Sequence, residues 1–146
     1  MKVLETEIDI NAPREKVWNI LVNFENYPQW NPFIKSIRGD LKVRKRLEVL
    51  IQLPDSKTFR VTPKVTSYKQ FHRFSWLGSV FIYGLFDGHH IFELKENGDH
   101  GIKFIHKEEF SGILVPLMWG QLKTKTREGF KLMNQSIKEL AENESY

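Results

Sequence analysis

The sequence predicts an α+β fold in which a curled antiparallel sheet holds one long C-terminal helix. Three observations predict it: an alternating N-terminal segment, a central region whose dominant period is two residues, and a closing segment with an unbroken helical stripe.

Residues 2–10 place Leu4, Thr6, Ile8 and Ile10 on one face and Glu5, Glu7 and Asp9 on the other, the pattern of a strand with one wet side. The period changes in NAPREKVWNILVNF. Pro13 suits a first helical turn, Glu15 suits its positive end, and Val17, Ile20, Leu21 and Phe24 recur at helical spacing. The next stretch, FENYPQWNPF at residues 24–33, is a connection rich in aromatics. Connections normally carry small polar residues, so this one must pack over a core or a pocket.

From Phe33 to Phe110 turn signals at RGD, PDSK, KQFH and ENGDHG divide about six strands, read as an antiparallel meander. The clearest are LEVLIQLP, FRVTPKVTSY, RFSWLG, FDGHHIFEL and GIKFIHKEEF, with Pro63 marking an edge, bulge or bend. SVFIYGLF, residues 79–86, is apolar between glycines and is assigned to no element. Residues 116–143 read as one helix with Trp119, Leu122, Thr126, Phe130, Met133, Ile137 and Leu140 in a single stripe. At about 1.5 Å per residue it runs about 40 Å, which requires an extended partner such as a curled sheet.

The chain has 146 residues, 40% hydrophobic and 27% charged, which fits a single domain over residues 1–146 with a buried core. Its 22 basic and 18 acidic residues are interspersed, a pattern that speaks against nucleic acid. The one dense basic run, KVRKR at residues 42–46, reads as a solvated hairpin. Absence of cysteine excludes disulfides, thiolate catalysis and Cys-ligated zinc. No segment has the apolar run of a signal peptide or a membrane span, so a soluble cytoplasmic protein is expected.

The informative segment is FDGHHIFELKENGDHGIKFIHKEEF. Phe86, Gly88, His90, Phe92 and Leu94 share one face of its first strand, and Ile102, Phe104, His106, Glu108 and Phe110 one face of its second. If both faces point inward and the turn centres on Gly98, His90 lies opposite His106 and Glu108 opposite Gly88. Two imidazoles and a carboxyl on an aromatic face need partners. Either they satisfy one another as a structural network, or they line a cavity and meet the polar end of a ligand, or act as acid and base. No metal-spacing motif, phosphate loop or nucleophile motif is visible, and no metal or cofactor is expected. Gly120 and Gly129 each cost the long helix about 1 kcal/mol unless close packing or interior room is gained.

The words APREKVW and YPQWNPF, with FDGHHIFEL, FIHKEEFSGIL and the closing helix, resemble the START/Bet v 1-like (SRPBCC) superfamily, and within it the bacterial polyketide cyclase/dehydrase and lipid-transport branch. The resemblance covers essentially the whole chain. It implies a helix-grip fold: a seven-stranded curved antiparallel sheet around the C-terminal helix, two short helices after strand 1, and an internal cavity. Tyr27, Trp30 and Phe33 would then close the cavity, with residues 79–86 and 111–118 near its mouth. The glycine-rich loop of plant allergens and the iron-ligand pattern of ring-hydroxylating oxygenases are not visible.

Three functions follow as expectations. The first is non-catalytic binding of a small hydrophobic or amphipathic ligand by a monomer or homodimer. Trp30, Phe33, Trp76, Phe92, Phe104, Trp119, Phe130 and Met133 would give contact area, and His90, His106 and Glu108 would orient the polar group. The second is an aromatase, cyclase or dehydratase using His90 or His106 as base, tuned by Glu108. The third is a protein- or membrane-docking module that uses the basic run with Phe81, Ile82 and Tyr83.

Overall fold

The computed structural model describes residues 1–80, 82–98 and 101–146. Strand β1 (Lys2–Ile10) leads into helix α1 (Arg14–Val22), a 3-10 turn (Phe24–Asn26) and the short helix α2 (Tyr27–Trp30). Seven strands follow: β2 (Ile34–Arg38), β3 (Glu48–Ile51), β4 (Phe59–Val61), β5 (Lys64–Lys69), β6 (Arg73–Val80), β7 (Phe86–Glu96) and β8 (Ile102–Ser111). Helix α3 (Val115–Glu142) closes the chain. The helix-grip arrangement holds, with eight strands among the described residues instead of seven, hydrogen-bonded as β1-β8-β7-β6-β5 and β2-β3-β4.

Pro63 explains the extra strand. Having no N–H to give a ladder, it splits the expected FRVTPKVTSY strand into β4 and β5, which belong to different sheets. The basic run lies in the connection between the antiparallel strands β2 and β3, in the hairpin expected of it. Its side chains are exposed, but the backbone from Arg44 to Leu47 runs beside β5, through Arg44 N to Val65 O, Val65 N to Lys45 O and Leu47 N to Pro63 O, each 2.9 Å. This segment covers the β5 edge that would otherwise be open and bridges the two sheets.

The aromatic connection packs inward, as its composition requires. Phe24, Tyr27 and Phe33 are buried, and the Tyr27 hydroxyl donates to Leu21 O at 2.5 Å. Asn31 Oδ1 accepts from the backbone N–H groups of Phe33 and Ile34 at 2.9 and 2.8 Å, which turns the chain into β2. Helix α3 lays Thr126, Phe130, Met133 and Ile137 on the core, while Trp119, Leu122 and Leu140 are half-buried. No helix among the described residues is long and apolar enough to cross a membrane.

Candidate functional site

The long hairpin of β7 and β8 keeps the expected inner faces but not the expected register. His90 pairs with Glu108, Gly88 with Phe110 and Phe92 with His106. The slide is two residues, an even number, so every side chain stays on its face. Its cause is the turn: Glu96 pairs with Ile102 and Asn97 N bonds to Gly101 O, so the hairpin is not centred on Gly98. Gly101, with φ of +90°, packs against the backbone of Ile10 and Asn11, where a side chain has no room.

Although not directly opposed, the histidines touch diagonally, His90 Nε2 to His106 Nε2 at 2.7 Å. His106 Nδ1 bonds Asn134 Oδ1 at 2.9 Å, Asn134 Nδ2 donates to Thr6 Oγ1 at 2.9 Å, and Thr6 Oγ1 donates to His106 O at 3.1 Å. Strands β1, β7 and β8 and helix α3 are thus joined through buried side chains. The rings sit in an aromatic stack, His106 on Phe130 at 3.8 Å and His90 on Phe92 at 4.4 Å between centroids. Burial pushes the His106 imidazolium down to about 3 although its bond to Asn134 acts the other way. Burial first, then the neighbouring His106 and His89, pushes His90 well below 6.5. Both rings are therefore neutral at physiological pH.

Beyond His90 the interior opens into a cavity of about 90 Å³. Phe33, Trp76 and Phe110 form much of its wall, joined by Phe59 and Val61 of β4 and Leu122 and Thr126 of α3, and among the described residues no Lys or Arg lines it. Among the described residues Glu108 contributes its one carboxyl, with Oε1 3.8 Å from His90 Nδ1. Gly88 makes that placement possible, because a Cβ there would overlap the carboxyl. Burial holds the Glu108 carboxyl up at about 8, so it is protonated at neutral pH.

Of the residues singled out in the sequence, Phe33, Trp76, His90 and Glu108 lie on this cavity. Phe92, Phe104, His106, Phe130 and Met133 lie behind it as fully buried core. Trp30 packs edge-on against Tyr27 and Trp119 against Phe110, both off the cavity wall. The space at Gly129 is not ligand room, since the Phe33 ring fills it. Phe81 lies outside the described residues, while Ile82 and Tyr83 are exposed. Among the described residues no cluster of three His, Asp or Glu side chains is placed to hold a metal ion.

Thr6 and Asn134 escape the sequence analysis as site residues. The signal for Asn134 was present: it falls four residues after Phe130 and three before Ile137, a polar residue inside an apolar stripe. Thr6 carried no such mark, since a threonine on a strand face reads as ordinary packing.

The fold has relatives of known structure. A START superfamily protein from Mycobacterium smegmatis superposes with a TM-score of 0.75 at 16% identity, over 96% of this chain and 97% of that one. The di-domain ARO/CYC BexL from the BE-7585A biosynthetic pathway gives 0.78 at 10% identity, covering 97% of this chain and 50% of that one. Ara h 8.0201 gives 0.62 at 21% identity, over 93% and 97%. No curated protein matches the sequence. The sequence pattern of polyketide cyclase/dehydrase and lipid transport proteins matches residues 1–142, and with helix grip, cavity and hairpin in place, the chain belongs to that family.

Proposed function

We propose that the protein binds a small hydrophobic or amphipathic ligand, of lipid, polyketide or aromatic type, in the cavity between sheet and C-terminal helix, without transforming it. One observation carries this reading: an apolar cavity whose wall, among the described residues, holds a single carboxyl, seated in a notch that a glycine at position 88 leaves open. Apolar lining with few convergent polar groups is the composition of a ligand site. As it stands the cavity is smaller than the roughly 300–1,000 Å³ of pockets for drug-sized ligands. It holds a small ring or the end of a chain, and a larger ligand requires the wall to give way.

Native mass spectrometry of the purified protein, with extraction of any retained compound, tests this directly. A retained apolar molecule, or a thermal shift with some member of a lipid and aromatic library, is expected. No retained compound and no shift across the library would sink the proposal.

A second reading, cyclisation or dehydration of a poly-β-keto substrate, draws on one specific feature. A carboxyl that burial keeps protonated and Nδ1 of a neutral imidazole lie 3.8 Å apart at the cavity wall, within the reach of an acid and a base acting on one substrate. His90 and Glu108 would carry it, because both ring nitrogens of His106 are already hydrogen-bonded. Turnover that survives His90→Phe together with Glu108→Leu would remove this reading.

A further inference from the structure

The direction of every proton in the buried chain can be read from one end. The backbone carbonyl of His106 can only accept, so the Thr6 hydroxyl directs its one proton there. A lone pair of Thr6 then faces Asn134, which must turn its Nδ2 toward Thr6 and its Oδ1 toward His106. An amide oxygen also only accepts, so His106 carries its proton on Nδ1. Its Nε2 is consequently bare and receives the Nε2–H of His90 at 2.7 Å. His90, likewise neutral, is left with a lone pair on Nδ1, the atom that faces Glu108.

Glu108 holds the complementary role. Its protonated carboxyl offers one O–H donor and one carbonyl acceptor, and 3.8 Å to His90 is too long for the two to satisfy each other directly. The polar end of the cavity is therefore an acceptor beside a donor, with no cationic side chain on the wall among the described residues. A carboxylate or phosphate head would meet the His90 lone pair and bury its charge unpaired. An ammonium head has no lone pair for the Glu108 proton and would force ionisation of a carboxyl in apolar surroundings. A hydroxyl satisfies both neighbours without charge.

We propose that the cavity selects ligands by an uncharged hydroxyl head, phenolic, enolic or alcoholic, which donates to His90 Nδ1 and accepts from Glu108, and that it rejects anionic heads. The inference rests on the cavity-binding reading and adds the ligand class to it. Thr6, Asn134 and His106 act as positioning residues, since they fix which nitrogen of His90 is bare.

Two measurements test it. Nitrogen-15 NMR of the histidine rings in the protein alone should show His90 protonated on Nε2 and His106 on Nδ1; a proton on His90 Nδ1 overturns the proposal whatever binds. Titration with p-cresol, toluene, benzoate and benzylamine, followed by amide shifts of the cavity-lining residues, should rank p-cresol about 10-fold or more above toluene, with benzoate and benzylamine weaker than both. Glu108→Gln, which keeps a donor, should hold p-cresol binding within a few-fold, whereas Glu108→Leu should bring it down to that of toluene. Equal binding of toluene and p-cresol, or binding of benzoate or benzylamine as tight as p-cresol, defeats the head-group selection and leaves cavity binding intact. Binding by none of the four defeats both.

Discussion

Glu108 and the two histidines work against each other as pH changes, and the sign of each is fixed by where its proton resides. Burial raises the Glu108 carboxyl to about 8, so between about 4.5 and 8 the folded chain holds a proton that the unfolded chain has lost. Its contribution to stability is full below 4.5 and is lost as pH rises through 8. The histidines run the other way. With His106 down at about 3 and His90 well below 6.5, the unfolded chain takes up protons first, so their contribution is full above 6.5 and is lost as pH falls toward 3. Glu108→Gln removes the alkaline arm alone. It should be nearly neutral at pH 5 and stabilising by about 2 to 4 kcal/mol at pH 9, read as the difference between two unfolding curves across that range. Parallel curves would show that Glu108 ionises in the folded protein as it does in water. Asn134→Leu should cost about 1–3 kcal/mol at neutral pH, because it leaves the His106 Nδ1–H buried without a partner. Chemical denaturation measures it, and a cost near zero would mean that water replaces the amide.

Helix α3 offers a controlled comparison of its two interior glycines. Gly120 is exposed with open space around it, whereas a Cβ at Gly129 would overlap the Phe33 ring. Gly120→Ala should therefore stabilise by up to about 1 kcal/mol through helix propensity alone. Gly129→Ala gains the same propensity but should lose about 1–3 kcal/mol net to overpacking. Adding Phe33→Leu to Gly129→Ala should recover part of that loss, a coupling that a double-mutant cycle by denaturation reads out. Additive effects in the cycle would place the cost in the helix and not at the contact. The same helix shows what sequence can and cannot convey. Its stripe was legible because 3.6-residue periodicity is a property of the chain, and it located Thr126, Phe130, Met133 and Ile137 correctly in the core. That Gly129 serves a ring 96 positions earlier in the chain was not legible, because no local pattern encodes a contact between distant elements.

At the scale of the molecule, parity was the stronger guide and turn length the weaker. Alternation in β7 and β8 put His90, His106 and Glu108 on one face whatever the register, while the pairing itself depended on a turn whose length two glycines, Gly98 and Gly101, leave open. Splitting of the sheet at Pro63 was visible only as a break, since a proline reports a missing donor and not which strand lies next to it. Strand β4 has three residues and among the described residues pairs with β3 alone, and its Phe59 and Val61 are partly exposed while lining the cavity. Strands β7 and β8 each have a partner on both sides and bury the aromatic stack. Local opening should therefore begin at β4, where few apolar contacts and few ladder bonds must break. Hydrogen exchange under native conditions should show amides of β4 exchanging at least about 100-fold faster than those at the centres of β7 and β8, with β4 slowed selectively when p-cresol is bound. Equal protection in β4 and β7 would mean that the three-stranded sheet opens only with the whole fold, and that ligands reach Glu108 without local opening of β4.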